Sequence, residues 1–414
     1  MNKIKIIEAV NQLGLGGTEH TLQLFSKFLN KEYFEVTVVG LKEGGARVEL
    51  IENMGIKVIL LNGDLTNLGE ILRGADVFHL HSNGLLDHEL FSIIQENKPK
   101  LVIQTNVFGL YDKESPFYDL VDYDLYVSRM ILVRRMNEDK ELATNFSEKR
   151  KVLYNPVDTS RIKSLLPAAE QIVAFKEENK LQDAFIVGRI GRADDIKFDM
   201  ITLDGFAEFA ASVKQAKFLL VGATPGMLAH AASLGISDKL IVIENTPDLK
   251  QLLVYYKSID VFLAASEIGE SFGMVISEAM MVGTPVVTIN TEKRDNAQIE
   301  VVDNHSTGLV AKRHKKDIGN ALRYLYKRPQ LRAKYSVAST QKVIEQYEVS
   351  KLTKSLELLI FKHFGLPGYA QEQTLPEDFS KKMVNAYVKR CADIHGRLWI
   401  VKKLLYLVKR RRYI

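Results

Sequence analysis

The chain has 414 residues, 46% hydrophobic and 26% charged, an ordinary globular composition long enough for two domains of ~150–200 residues. Its formal charge of +5 is a property of one end: residues 381–414 hold eleven Lys and Arg against one acid, Asp393, which leaves the body at −5 and speaks against a nucleic-acid partner. The single cysteine, Cys391, excludes an internal disulfide and a cysteine metal site and fits a reducing, cytoplasmic setting. No apolar run approaches the ~18 residues of a membrane span, and the N-terminus runs into a strand-like segment rather than a signal peptide.

Residues 4–10 read as a first strand, followed by the glycine-rich turn Gly14-Leu-Gly16-Gly17 and an amphipathic helix from about Thr18 to Leu29. Strand, glycine turn, helix is an arrangement that faces phosphates, although such a turn also serves as a plain tight connection. Further strands are expected at 35–39, 57–61, 77–80, 101–105, 125–127 and 152–154, separated by helical or turn-rich stretches. This alternation predicts a doubly wound parallel sheet. His79 and His81 alternate, so both face one side of the sheet. His81 either borders a ligand cleft at the strand end or is a structural histidine. Gln104-Thr-Asn106 closes the next strand, and Asn155-Pro156-Val-Asp158 reads as a linker, because Pro156 cannot continue a helix.

The pattern then restarts. Residues 185–192 are a strand running into a loop, Ala193-Asp194-Asp195-Ile196-Lys197, with strands following at 217–221 and 240–243. The apolar run Val261-Phe-Leu-Ala-Ala265 leads into Ser266-Glu-Ile-Gly-Glu270-Ser-Phe272-Gly273-Met274, where a helix begins that Gly283 ends before the next strand at 286–289. Free N–H groups of Phe272, Gly273, Met274 and Val275 favour an anion, while Glu270 and Glu278, with seven residues between them, suit hydroxyls. Phosphate plus polyol describes a nucleotide sugar, bound at the carboxyl ends of the strands. The bland reading is two glutamates on a solvated helix face. After Arg294-Asp-Asn-Ala-Gln298 come a last strand at 307–310 and helices from about 316 to 363.

The stretch Gly269-Glu-Ser-Phe-Gly-Met-Val-Ile-Ser-Glu-Ala-Met-Met-Val-Gly-Thr-Pro-Val-Val287 resembles the signature of retaining GT-B glycosyltransferases of family 4, and the likeness covers roughly residues 1–360. The resemblance implies two Rossmann-like domains facing a cleft, with Glu270 near the donor sugar and Glu278 on the ribose. It implies an Arg and a Lys on the diphosphate; Arg192 and Lys197 match the spacing, and Arg189 is a rival for the arginine role. Gly16 and Gly17 would face the diphosphate and acceptor, with Glu19 and His20 beside them. Many members carry a histidine near the end of the strand at 101–105; here Asn106 and Phe108 occupy that place, so the histidine's role is unassigned and Asn106 is the substitute candidate.

The expected architecture is thus α/β, GT-B: an acceptor-side domain over 1–160, a nucleotide-sugar domain over 161–345, a returning helix over 346–365 and a basic tail over 366–414. The implied activity is metal-independent, retaining transfer from a UDP-, GDP- or ADP-sugar to a glycan or lipid-linked acceptor, with no cofactor. The rivals are a nucleotide-sugar epimerase of the same architecture and a degenerate partner subunit. Residues 397–413 place apolar and cationic faces on opposite sides of a helix, fitting attachment to an anionic membrane surface or docking on the protein body.

Overall fold

A computed structural model describes residues 2–112, 114–138, 149–366, 385–386, 389–390 and 393–394; the amphipathic segment 397–413 lies outside them. The described residues form two compact units. One runs to Asp158 and resumes at Tyr347; the other runs from Thr159 to Gln346 and includes the described residues from 385 onward.

The first unit is built on a seven-stranded parallel sheet: β1 (Ile4–Gln12), β2 (Phe34–Glu43), β3 (Lys57–Leu60), β4 (Val77–Ser82), β5 (Leu101–Asn106), β6 (Tyr123–Tyr126) and β7 (Arg150–Val152), in the order β3-β2-β1-β4-β5-β6-β7. The order reverses direction at β1, beside the turn leading into the helix Gly17–Phe28. Every residue of β5 is buried, as expected for a parallel strand covered by helices on both faces. Two apolar layers cover the sheet, one of which includes Leu22 and Phe25 of the first helix. The helix Val349–His363 joins that layer through Leu352, Leu356, Leu359, Ile360 and Phe361; Phe361 stacks on Phe34 at 5.4 Å, and Glu357 accepts the Asn30 N–H at 2.7 Å. The returning helix thus belongs to the first unit.

The second unit repeats the plan with β8 (Phe185–Ile190), β9 (Ala216–Val221), β10 (Leu240–Ile243), β11 (Val261–Ala264), β13 (Val286–Asn290) and β15 (Gly308–Lys312), in the order β10-β9-β8-β11-β13-β15, all parallel. A separate two-residue pair joins β12 (Gly269–Glu270) to β14 (Asp295–Asn296). The core is aromatic on one side, where Phe206 meets Phe218 edge-on at 5.0 Å and Phe185 meets Phe209 at 5.6 Å. Gly205 packs against Ile318 so closely that any side chain there would collide with it, which brings the helices Ile201–Ala210 and Lys315–Tyr326 together. Among the described residues no helix is long and apolar enough to cross a membrane.

Candidate functional site

In the second unit, β11 ends at Ala264 and the chain turns sharply. Ser266 Oγ donates to the Gly269 carbonyl at 2.8 Å, and Gly269 has φ +78°, with the Asp295 backbone where a side chain would stand. Only glycine fits there. Gly273, at φ +99°, then caps the helix Met274–Met281 with no side-chain partner, so the first N–H groups of the helix are not taken up by a side-chain cap. Glu270 hangs between these two glycines, half-buried.

Burial raises the Glu270 carboxyl above its ordinary value, and the charges of Lys197 and then Arg189 pull it back. The Lys197 carbonyl accepts the Glu267 N–H at 3.1 Å, so the loop carrying Lys197 lies against the segment leading to Glu270. Arg189 is 9% exposed; its guanidinium lies over the Phe198 ring at 5.1 Å, and its Nη1 is buried without a hydrogen-bond partner. Gly191 leaves room for that guanidinium, because any side chain at Gly191 would strike it. Arg192 is exposed on the loop, so the arginine beside Glu270 is Arg189. Asp194, whose negative charge acts on Arg189, and Asp195 are also held by the loop itself. Asp194 accepts the N–H groups of Ile196 and Lys197 at 2.9 and 3.3 Å, and Asp195 accepts the Thr224 hydroxyl.

Glu278 lies one helix face further on. Its carboxylate accepts the hydroxyl of buried Tyr256 at 2.8 Å, and burial raises its pKa to about 7. The charge of Arg189 also acts on Tyr256 and on Glu270, which links the two glutamates electrostatically. The sequence singled out both glutamates, but nothing in its local pattern pointed to Tyr256.

Behind Glu270 stands the 295–298 segment. Gly269 pairs with Asp295 and Glu270 with Asn296, and the Ala297 N–H donates to the Glu270 carbonyl at 2.8 Å. Asn296 Nδ2 donates to Asn290 Oδ1 at 2.7 Å, and Gln298 Nε2 donates to the Ile289 carbonyl at 2.9 Å. The string is a backing wall for the glutamate loop.

In the first unit, Gly16 is the N-cap of Gly17–Phe28, with extended backbone and no side-chain cap. The Glu19 side chain folds back over Gly16, where a Cβ would collide with it, and the His20 N–H donates to the Gly16 carbonyl at 3.0 Å. Arg47 Nε donates to the Gly14 carbonyl at 3.0 Å and fixes the turn from the other side. Gly17 is exposed.

His81 faces inward. It is 2% exposed, and its Nε2 lies 2.7 Å from Glu8, whose carboxylate also meets His79 Nδ1 at 3.0 Å; His79 Nε2 in turn meets Thr105 Oγ1 at 2.8 Å. Burial would raise Glu8, but the charge and hydrogen bonds of His79, with the bonds of His81, outweigh it and bring Glu8 to about 2. Burial lowers His81 to about 4, so it is a neutral donor to Glu8. This is the geometry of a structural histidine, the alternative to a cleft-edge role. Among the described residues, Glu8, His79 and His81 form a group able to hold a metal ion, with ligand atoms within 4.8 Å of one another, and hydrogen bonds among them already occupy those atoms. Asn106 is fully buried; its Nδ2 donates to the Leu110 carbonyl at 3.0 Å, and its Oδ1 is buried without a hydrogen-bond partner.

Two parallel-sheet units, with a glycine-hinged helix N-terminus and a carboxylate loop in the second, are the GT-B class of architecture. The solved glycosyltransferase from Rickettsia africae superposes with TM-score 0.72 at 17% identity over 89% of this chain and all of that one. HepE from Anabaena, solved with UDP and glucose, gives 0.67 at 18% identity over 86% of this chain and 99% of its own. Residues 170–342 match the family model for glycosyl transferases group 1. A D-inositol 3-phosphate glycosyltransferase of Segniliparus rotundus is 30% identical over 167 residues, 38% of this chain. The chain spans about a third of the length of that relative, 33% of it.

Proposed function

We propose that the protein is a retaining glycosyltransferase whose second unit binds a nucleotide sugar, which it transfers to a glycan or lipid-linked acceptor of the cell envelope or surface polysaccharide. The observation that carries this reading is the Lys197 loop bonded through its carbonyl to the Glu267 N–H at 3.1 Å, beside the Glu270 loop at the start of Met274–Met281, with the charges of Lys197 and Arg189 acting on Glu270. A departing nucleoside diphosphate gains negative charge as the glycosidic bond breaks. The cations and the helix N-terminus stabilise that charge without a metal. Glu278 accepts ribose hydroxyls and Glu270 accepts hydroxyls of the sugar. The departing phosphate takes the acceptor's proton, so front-side displacement needs no side-chain base. Because HepE was solved with UDP, uridine sugars are the first donors to try.

The test is a thermal-shift panel of UDP, GDP, ADP and CMP on the full chain, followed by the matching sugars with and without acceptor. A nucleotide at 100 times its Kd stabilises the fold by about 2.7 kcal/mol. Transfer with retained anomeric configuration supports the reading. An epimerised sugar released without acceptor makes the protein an epimerase, and no shift with any nucleotide removes the proposal.

A further inference from the structure

We propose that Glu267 is a positioning residue that locks the Lys197 loop to the Glu270 loop, an inference that rests on the donor site proposed above. Glu267 lies three residues before Glu270, and its backbone N–H donates to the Lys197 carbonyl at 3.1 Å. Its carboxylate bridges two arginines, Arg294 at 2.7 Å and Arg313 at 2.6 Å. Arg294 also donates to the Glu267 carbonyl, so it holds the residue by backbone and side chain together.

Arg313 extends the bridge. It grips Asp199 with two parallel bonds, Nε to Oδ2 at 2.6 Å and Nη2 to Oδ1 at 3.0 Å. Asp199 is buried and lies two residues after Lys197, and its Oδ1 also accepts the Ile201 N–H at 3.1 Å. A second tie runs alongside, because Phe198 and Ser266 form an antiparallel bridge. One carboxylate therefore joins the loop that presents Lys197, the loop that presents Glu270, and the strand pair behind Glu270 through Arg294.

Isolated ion pairs at this exposure contribute little, and the Glu267 and Arg313 side chains are 40% and 38% exposed. This arrangement differs in two respects: the Arg313–Asp199 contact is bidentate on a buried acid, and the charges are shared through one hub. Glu267 acts through the backbone it holds, by keeping cation and carboxylate in register. Tyr256 and Glu278 have no bond to the hub among the interactions described, so the ribose contact proposed for Glu278 is separable from it.

The experiment compares wild type with Glu267→Gln, Arg313→Lys and a control, Lys315→Gln, which removes the ion pair to Glu208 in the same unit. Hydrogen exchange of the 265–273 amides, nucleotide Kd and turnover are measured on the full chain. In Glu267→Gln and Arg313→Lys, exchange at 265–273 and turnover are expected to change at least about tenfold. Nucleotide Kd is expected to change less than about threefold, and the control to match wild type. Wild-type exchange in Glu267→Gln overturns the lock. Faster exchange with unchanged turnover, or equal losses of turnover and nucleotide affinity, overturns the positioning role. If wild type transfers no sugar at all, the functional reading fails by itself, and the exchange readout still decides whether Glu267 holds the loop.

Discussion

Glu278→Gln separates stability from binding at one atom pair. In the wild type the Glu278 carboxyl is raised from its ordinary 4.5 to about 7 by burial, while Tyr256 donates to it at 2.8 Å. Glutamine keeps an acceptor for Tyr256 and cannot ionise. The unfolded chain gives up this proton near pH 4.5, and the folded protein keeps it until about pH 7. Stability from this group is therefore fully present below pH 4.5 and is lost as pH rises to about 7. The gap of about 2.5 corresponds to about 3 kcal/mol, an upper figure for a half-buried group. Urea denaturation should show wild type and Glu278→Gln nearly equal at pH 4.5, with the variant more stable at pH 8 by up to about 3 kcal/mol. The ionised carboxylate that costs stability is the one proposed to accept ribose hydroxyls. The same variant should therefore lose about 1.5–3 kcal/mol of nucleotide binding, or roughly 10- to 150-fold in Kd, read by calorimetry at pH 8. A stability difference that is the same at both pH values refutes the buried-carboxyl argument, and wild-type nucleotide affinity in the variant refutes the ribose assignment.

Lys197→Ala and Arg189→Ala are expected to lower turnover by about 10²–10³ with smaller effects on nucleotide affinity. Arg192→Ala tests the exposed rival in the same assay, and if it alone is severe, the diphosphate role passes to Arg192. Transfer activity is expected to persist in EDTA, and loss restored by Mg²⁺ or Mn²⁺ counts against the proposed mechanism. Full-length protein should co-sediment with anionic liposomes at low salt, and a chain ending at Ala392 should not. Equal behaviour of the two chains retires membrane attachment through 397–413.

Much of the fold was legible because strands and helices announce themselves through local periodicity. The run at 240–243 is the strand Leu240–Ile243, and the helix expected from Met274 begins there, since glycine and apolar spacing act over a few residues. The two-residue strands β12 and β14 were not legible. They are too short for any period, and each exists only because the other lies beside it. The partner of the Arg294-Asp-Asn-Ala-Gln298 string was hidden for the same reason.

The site divides along the same line. Sequence alone placed Glu270 and Glu278 around a glycine-hinged helix start, because that spacing is local geometry. It favoured Arg192, whose spacing to Lys197 matches, and kept Arg189 as the rival, since both follow a glycine near the end of one strand. Tertiary packing separated them: alternation along β8 turned Arg189 inward beside Phe198 and Glu270, and Arg192 fell in the loop beyond. Tyr256 meets Glu278, Arg313 meets Asp199 and Glu8 meets His79 across sequence separations of 22, 114 and 71 residues. Side-chain pairs at such distances have no signature in one sequence, because only the stacking of strands β8, β11, β13 and β15, and of β1 on β4, brings their backbones together.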